Sequence, residues 1–257
     1  MNNIFDSHSH YNDARFDEDR DALLASMPEN GVCGIIHAST DIESTRFGLA
    51  QSEKYPFFYA GAGLHPEEAA KAPADYLRQL EELARSSPKI VAIGEIGLDY
   101  YYEGFDRDLQ LRIFEEQLQL AKRLDLPVIL HSREATRDCM DMLKKYRPRG
   151  VMHCFSGSAE TAREVQALGL YISFTGVLTF KNARKAAEAL MAVADDRLLL
   201  ETDCPYMAPE PYRGKRCDST MIPYVAQKIA ELKGGTAQEV LDRCTENTCR
   251  LFGIQLK

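Results

Sequence analysis

Short apolar runs alternate with amphipathic stretches along almost the whole chain. Apolar runs with little internal alternation are typical of strands that are buried on both faces, as they are in parallel sheets. Eight such runs predict strands, at IFDSHSH (4–10), VCGIIHA (32–38), FFYAGAG (57–63), KIVAIGEIG (89–97), LPVILHS (126–132), GVMHCF (150–155), GLYISFTG (169–176) and RLLLETD (197–203).

Hydrophobic residues recur at helical spacing between these runs. In the clearest example, Leu109, Ile113 and Leu120 fall on one face of a predicted helix. The predicted helices cover 106–124, 134–145, 159–167 and 182–194. Strands that alternate with helices predict an α/β fold, and about eight β/α units in about 250 residues match a (β/α)8 TIM-like barrel.

The competing architecture is a doubly wound sheet, in which a glycine-rich phosphate loop follows the first strand. The sequence at that place is SHSHYND (7–13), which favours the barrel. The chain has 257 residues, of which 45% are hydrophobic and 27% are charged, so it can bury one large core. We therefore expect a single domain over residues 1–257.

The sequence also bears on location. No stretch approaches the roughly 18 apolar residues that span a bilayer. The opening MNNIFDSHSH has neither the basic nor the apolar segment of a signal peptide. We expect a cytoplasmic protein without membrane contact. The seven cysteines form no CxxC pair and are expected to be free thiols.

The net charge of −8 argues against a protein that holds nucleic acid by a broad basic surface. If the substrate is a phosphodiester, its charge has to be met locally, by metal ions and a few basic residues at the site. The net negative charge also mildly favours a small substrate over a nucleic acid.

Imidazole and carboxylate side chains interrupt the apolar strands near their carboxyl ends. In a parallel barrel these ends form one face, where the active site lies. Burying such groups without a common partner would be costly. The strand ends therefore predict one pocket that contains His8, His10, Glu95, His131, His153 and Asp203. Asp6 shares a strand face with His8 but lies deeper, so we interpret it as a structural group.

Four imidazoles and two carboxylates suit divalent metals such as Zn, Mn, Fe or Co, whereas Mg prefers oxygen ligands. Six ligands exceed the three protein ligands of a usual catalytic zinc site, which predicts two metal ions. Glu95 lies on the middle strand and is the best candidate to bridge them. Such a pair activates water for hydrolysis.

Several motifs resemble those of the TatD-type metal-dependent deoxyribonucleases of the amidohydrolase superfamily. The matching stretches span nearly the whole chain and include FDSHSHYND (5–13), GLHPEEA (63–69), IGEIGLDYY (93–101), HCFSGS (153–158), ISFTGVLTFKNA (172–183) and LLLETDCPYMAPEPYRGKR (198–216). Three of them, IGEIGLDYY, HCFSG and LLETD followed by PY, are highly specific in that order.

The resemblance implies a TIM-like barrel with a pair of divalent cations. His8, His10 and Asp203 would surround one ion, His131 and His153 the other, and Glu95 would bridge them. Asp203 and Glu95 would be the catalytic residues, with Asp203 taking a proton from the attacking water. The implied activity is that of a deoxyribonuclease, which we expect to be an exonuclease on single strands or duplex ends.

Four further residues are candidates for substrate binding: His65, Arg133, Lys181 and Arg213. Each has a simpler structural reading, as a turn residue, an ion-pair partner or a solvated charge. Two other functions also stay open. The same metal pair can open small esters, lactones or amides, and a metal-binding scaffold without activity would carry the same ligands. No protein partner is inferable.

Overall fold

The computed structural model describes residues 1–256, and this range contains eight strands and nine α-helices. The strands are β1 (Ile4–Ser9), β2 (Val32–His37), β3 (Phe58–Ala62), β4 (Ile90–Asp99), β5 (Val128–Arg133), β6 (Gly150–Met152), β7 (Tyr171–Phe174) and β8 (Leu198–Leu200). The helices are α1 (Arg20–Ser26), α2 (Ile42–Lys54), α3 (Tyr76–Ser86), α4 (Arg107–Leu124), α5 (Thr136–Tyr146), α6 (Ala159–Ala167), α7 (Arg184–Met191), α8 (Ile222–Lys233) and α9 (Ala237–Phe252). Lys257, the last residue of the predicted domain, lies outside the described residues.

All neighbouring strands pair in parallel, in sequence order from β1 to β8. Beyond their last residues, β8 and β1 also meet. The amide of Asp203 donates to the carbonyl of His8 (3.0 Å), and the amide of His10 donates to the carbonyl of Cys204 (2.8 Å). These bonds join the two ends of the sheet, so the predicted (β/α)8 barrel is confirmed.

Two apolar clusters build the core, because successive side chains of a strand point to opposite faces. Ile35 packs with the helices outside the barrel, whereas its neighbour Ile36 belongs to a second cluster inside it. Phe252 and Ile254 from the end of the chain join this inner cluster. Its strand members lie mostly near the amino ends of their strands, so the carboxyl ends are left for a cavity.

The predicted helix at 159–167 matches α6, and α4 begins one residue later than predicted. Its start is set by Asp106, whose side chain accepts a hydrogen bond from the amide of Leu109 (3.0 Å). Helices α1, α2, α3, α8 and α9 were not predicted. For α2 the cause is the polar or small character of Ser44, Thr45 and Gly48, which lie on its buried face. Helix α8 does have an apolar face, with Ile222, Val225 and Ile229 buried, and it was missed although its pattern is present.

Two strands end three residues earlier than predicted. The run 150–155 is a strand only to Met152, and the run 197–203 only to Leu200. Left-handed residues turn the chain there, with φ values of 42° at Cys154 and 58° at Asp203. His153 and Asp203 therefore lie just after their strands.

Within residues 1–256, no helix combines the length and the apolar character needed to cross a bilayer. All seven cysteines are free thiols, as predicted. Cys204, next to Asp203, is fully buried and packs in the core, and burial raises its pKa well above the ordinary value.

Candidate metal centre

Glu95 on β4 stands at the centre of a buried cluster of histidines. Its Oε2 atom lies 3.3 Å from Nε2 of His8 and 3.6 Å from Nε2 of His10. Its Oε1 atom lies 2.8 Å from Nδ1 of His131 and 2.8 Å from Nε2 of His153. Each carboxylate oxygen thus faces one pair of imidazoles, which we call the His8–His10 pair and the His131–His153 pair.

The ring nitrogens within each pair face each other. Nε2 of His8 and Nε2 of His10 are 3.0 Å apart, and Oδ1 of Asp203 lies 3.6 Å and 3.3 Å from them. In the other pair, Nδ1 of His131 lies 3.2 Å from Nε2 of His153. The six side chains that the strand ends predicted therefore meet in one place.

This donor set fits divalent cations. The ligand atoms of His8, His10 and Glu95 all lie within 4.8 Å of one another, and so do those of His65, Glu95 and His131. Imidazole and carboxylate groups are good ligands for Zn, Mn, Fe and Co. Neighbouring lone pairs buried this closely are stabilised by a shared cation, since water has little access to them.

Charges within the cluster perturb its pKa values. Burial alone would raise the pKa of Glu95, but the imidazoles of His153 and His8 outweigh it and lower that pKa well below the ordinary value. For His8, burial dominates and lowers the pKa. For His153, burial is outweighed by Glu95 and Glu201, and the pKa is raised well above its usual range.

The local backbone explains how the ligands converge. Residues two apart on a strand point the same way, which brings His8 and His10 to the same pocket. At Gly97 the chain has φ 149°, and a Cβ atom there would lie 1.9 Å from the carbonyl oxygen of His131. A glycine at this position lets β4 approach β5 closely beside two of the ligands.

Asp6 lies below the cluster and does not face Glu95. It is fully buried and accepts hydrogen bonds from the amide of Thr202 (3.0 Å) and from the hydroxyls of Thr202 (2.6 Å) and Ser219 (2.6 Å). Burial raises the pKa of Asp6 to about 7. These contacts agree with the expectation of a structural group.

A cavity of about 770 Å³ opens above the cluster at the carboxyl ends of the strands. Five of the six predicted ligands line it, while His8 is fully buried beneath. Of the substrate-binding candidates, His65 and Arg133 line the cavity. Nε2 of His65 lies 3.6 Å from Oε1 of Glu95.

The other two candidates lie outside this cavity. Among the described residues, neither Lys181 nor Arg213 is part of its lining. Lys181 is exposed, and the guanidinium of Arg213 lies 4.4 Å from the centre of the Phe180 ring. Lys185, at the start of α7, lines the cavity instead. The roles of Lys181 and Arg213 in substrate binding stay predictions.

Two acidic residues at the site were missed by the sequence reasoning. Oδ2 of Asp99 lies 3.0 Å from Nε2 of His131. Oε1 of Glu201 lies 3.5 Å from Nδ1 of His153. Both are nearly or fully buried at the ends of apolar runs, which is the signal that identified Glu95 and Asp203.

Comparisons with known proteins agree with this geometry. The family model described as TatD related DNase matches residues 5–253. The uncharacterized metal-dependent hydrolase YabD of Bacillus subtilis is 41% identical over 254 residues, which cover 98% of this chain and 99% of that protein. The 3'-5' ssDNA/RNA exonuclease TatD of Erwinia tasmaniensis is 33% identical over 260 residues, covering 98% of this chain and 100% of that protein.

A solved structure is also similar over the whole barrel. The crystal structure of YjjV, a TatD homolog from Escherichia coli K12, matches with a TM-score of 0.92 at 35% identity, covering 98% of this chain and 99% of that one. With the barrel and the histidine–carboxylate cluster, these similarities identify the chain. It belongs to the TatD related DNase family and is a metal-dependent hydrolase of the TatD type.

Proposed function

We propose that this protein is an exonuclease that hydrolyses phosphodiester bonds at the ends of single-stranded DNA, using two divalent cations. The observation that carries the proposal is the division of four imidazoles between the two oxygens of Glu95. The relative from Erwinia tasmaniensis, named as a 3'-5' exonuclease on ssDNA and RNA, supports the choice of substrate and a 3′ to 5′ direction.

Each side chain of the cluster has a role in this proposal. His8, His10 and Asp203 would hold one cation, His131 and His153 the other, and Glu95 both. When bound, two such cations lower the pKa of a coordinated water toward about 7 and stabilise charge on the phosphate oxygens. The imidazoles favour Zn, Mn, Fe or Co, and the carboxylates also accept Mg.

Asp203 would accept the proton of the attacking water. It lines the cavity, and its Oδ1 atom is 3.3 Å from Nε2 of His10. Burial alone would raise the pKa of Asp203, but the hydrogen bond with His10 outweighs it and lowers that pKa. Asp203 is therefore ionised at neutral pH. The water oxygen bonds to phosphorus as the bond from phosphorus to the leaving strand's oxygen breaks, and the proton passes from Asp203 to that oxygen.

Basic and imidazole groups around the cavity would position the phosphate. Arg133 presents a guanidinium and His65 an imidazole at the lining. Lys181 and Arg213 follow β7 and β8, the region in which barrels often bind phosphate. From outside the cavity they would contact phosphates further along the strand, where a long substrate leaves the site.

Exposed tyrosines on opposite sides of the cavity suit a single strand. Tyr102 follows β4 and Tyr206 follows β8, and both line the cavity. The guanidinium of Arg15 lies 4.2 Å from the centre of the Tyr206 ring, and that of Arg133 lies 5.3 Å from the centre of the Tyr102 ring. Aromatic rings held in this way can stack unpaired bases, at about 1–3 kcal/mol per base.

A small ester, lactone or amide is the second candidate substrate, and the charge of the lining favours it. The carboxylates of Asp13, Glu67 and Glu68 line the same cavity as the cations Arg133 and Lys185, and Asp13 pairs with Arg15 (2.7 Å) while Glu68 pairs with Lys71 (2.9 Å). Acidic groups at the mouth repel phosphates beyond the scissile one. A neutral substrate would not meet that repulsion.

The test compares both substrate classes on one preparation. Metal-loaded protein is incubated with a 5′-labelled single-stranded oligonucleotide and, separately, with a chromogenic carboxyl ester. We expect a ladder that shortens from the 3′ end, and loss of about 10²–10⁴-fold in kcat for Asp203→Asn. Asp125→Asn is the matched control, because Asp125 is 94% exposed and distant from the cavity. Ester turnover with intact DNA would replace the proposed substrate by the second candidate.

A further inference from the structure

The histidines of the His131–His153 pair are each backed by a buried carboxylate on the side away from Glu95. For His131, Nδ1 faces Glu95 at 2.8 Å, while Nε2 lies 3.0 Å from Oδ2 of Asp99. For His153, Nε2 faces Glu95 at 2.8 Å, while Nδ1 lies 3.5 Å from Oε1 of Glu201. His131 faces Glu95 with Nδ1 and His153 faces it with Nε2. In both rings the other nitrogen lies near an acidic side chain.

Both backing carboxylates are held in place by their own hydrogen bonds. Asp99 accepts from the amide of Tyr101 (2.9 Å), and its backbone is clamped by the side chain of Gln110, which accepts from its amide (2.9 Å) and donates to its carbonyl (2.8 Å). Glu201 accepts from the amide of Cys154 (2.5 Å) and the hydroxyl of Ser173 (2.6 Å). Their oxygens therefore stay aimed at the rings.

The His8–His10 pair is built differently. Nε2 of His8 faces Glu95, and its Nδ1 is buried without a hydrogen-bond partner among residues 1–256. Glu201 also lies near His8, since one ligand atom each of His8, His153 and Glu201 lie within 4.8 Å of one another. Nδ1 of His153 is also without a full hydrogen bond, but the carboxylate of Glu201 lies 3.5 Å away. A shift of about 0.5 Å would bring that contact into hydrogen-bond range.

A neutral imidazole can present a lone pair from only one nitrogen, because the other carries the proton. A carboxylate behind Nε2 of His131 keeps the proton there and leaves the Nδ1 lone pair free. A carboxylate behind Nδ1 of His153 does the same for Nε2. A carboxylate behind a ligating histidine fixes its tautomer and orientation, and its loss typically costs about 10–100-fold in metal affinity.

We infer that Asp99 and Glu201 are positioning residues that fix the tautomers of His131 and His153, so that the cation held by these two histidines depends on them more strongly than the other cation does. The inference rests on the cation pair of the proposed function. Both acids act mainly on the site between His131, His153 and Glu95.

The test measures metal uptake, so it needs no substrate. Metal-free wild type, Asp99→Ala and Glu201→Ala are titrated calorimetrically with Mn²⁺ alone, and bound metal is counted after desalting. We expect two ions on the wild type. Each variant should have one site weakened by about 10–100-fold and a second site that changes little. Asp99→Asn, whose amide oxygen still accepts from Nε2 of His131, should recover most of the affinity.

Asp138→Asn is the matched control, since Asp138 binds Tyr100 and Arg107 near the same strand end and contacts none of the ligands. If Asp99→Ala does not fold, the decision rests on Asp99→Asn and Glu201→Gln with Zn²⁺ and ¹⁵N-labelled histidine. The wild type should then show His131 protonated at Nε2 and His153 at Nδ1, and both variants should keep these tautomers because their amide oxygens still accept. A wild-type ring protonated at the opposite nitrogen would overturn the inference.

Alanine variants that bind two ions as tightly as the wild type, or that weaken both sites equally, would overturn the inference. A wild type that binds fewer than two ions would overturn it together with the metal pair. A wild type that binds two ions, responds as expected to the substitutions, and leaves DNA intact would overturn only the proposed substrate.

Discussion

The buried carboxylate of Asp6 gives the sharpest prediction for stability. Its Oδ1 atom accepts from the amides of His8 (3.3 Å) and Thr202 (3.0 Å), and its Oδ2 atom accepts from the hydroxyls of Thr202 and Ser219 (2.6 Å each). The side chain thus joins β1 to the segment after β8 and to the turn before α8. Asp6→Ala removes all four acceptor contacts at once.

The expected cost follows from the donors that lose their partner. A buried backbone amide left without an acceptor costs about 1–3 kcal/mol, so the amides of His8 and Thr202 together cost about 2–6 kcal/mol. The hydroxyls can rotate, and that of Ser219 already contacts the hydroxyl of Tyr11 (2.7 Å), so we assign them no further cost. Asp6→Asn keeps an oxygen for both amides and should cost only about 0.5–1.5 kcal/mol.

Urea unfolding of the metal-free proteins, followed by far-UV circular dichroism, measures both variants against the wild type. Asp17→Asn serves as control, because the Asp17 side chain is 63% exposed and its pair with Arg20 is worth at most about 1 kcal/mol. An Asp6→Ala variant that unfolds within about 1 kcal/mol of the wild type would refute the reasoning that these bonds hold β1 to β8.

Three further predictions concern the metal centre and its surroundings. Mn²⁺ at about 100 times its dissociation constant should add about 2.7 kcal/mol per site to the free energy of unfolding and raise the melting temperature by about 5–10 °C per site. Glu95→Ala should lose most of that rise. An equal rise for the variant and the wild type in calorimetry would contradict the bridging role of Glu95. Gly97→Ala should destabilise the folded protein by about 2–6 kcal/mol, because its Cβ would meet the carbonyl of His131. Gly104→Ala is the control: a Cβ there has no atom within 4 Å, so the variant should be destabilised only by the strain of the positive φ. Equal losses of stability in urea unfolding would refute the close approach at Gly97. Burial lowers the pKa of His37 from 6.5 to about 3, and the imidazole of His10 adds to this effect. Between these two pH values the unfolded chain therefore takes up a proton at His37 that the folded protein does not. The contribution of His37 to the stability of the metal-free protein should therefore fall by up to about 1.4 kcal/mol per pH unit between pH 6.5 and pH 3, against the opposite contribution of Asp6, whose pKa is raised to about 7. Urea unfolding at several pH values should show that His37→Phe gains stability relative to the wild type as the pH falls.

The strands and the main ligands were predictable for one physical reason. A polar residue inside an apolar run is costly to bury, so Glu95 and His131 stood out without any knowledge of the fold. Parallel strands then bring such residues to the same end of the sheet, which predicted their meeting. The same reasoning could have included Asp99 and Glu201, but their partners depend on which nitrogen of a ring faces which strand.

Details that depend on register and on loops could not be read from the pattern. The pairing of β4 with β5 shifts between Ile93 and Ile96, which moves Asp99 beside β5 and its histidine. The loop after β7 places Lys185 rather than Lys181 at the cavity, although both are basic residues in the same segment. A helix such as α2, with small polar residues on its buried face, has no apolar periodicity to find.

The most direct test of the central claim follows DNA cleavage as metal is added stepwise to metal-free protein. A 5′-labelled single-stranded oligonucleotide is incubated with protein carrying increasing equivalents of Mn²⁺, beside Asp203→Asn. We expect no cleavage without metal, and with metal a ladder from the 3′ end that forms faster with the second equivalent and is absent in the variant. DNA that stays intact with two ions bound, or full cleavage with none, would contradict it.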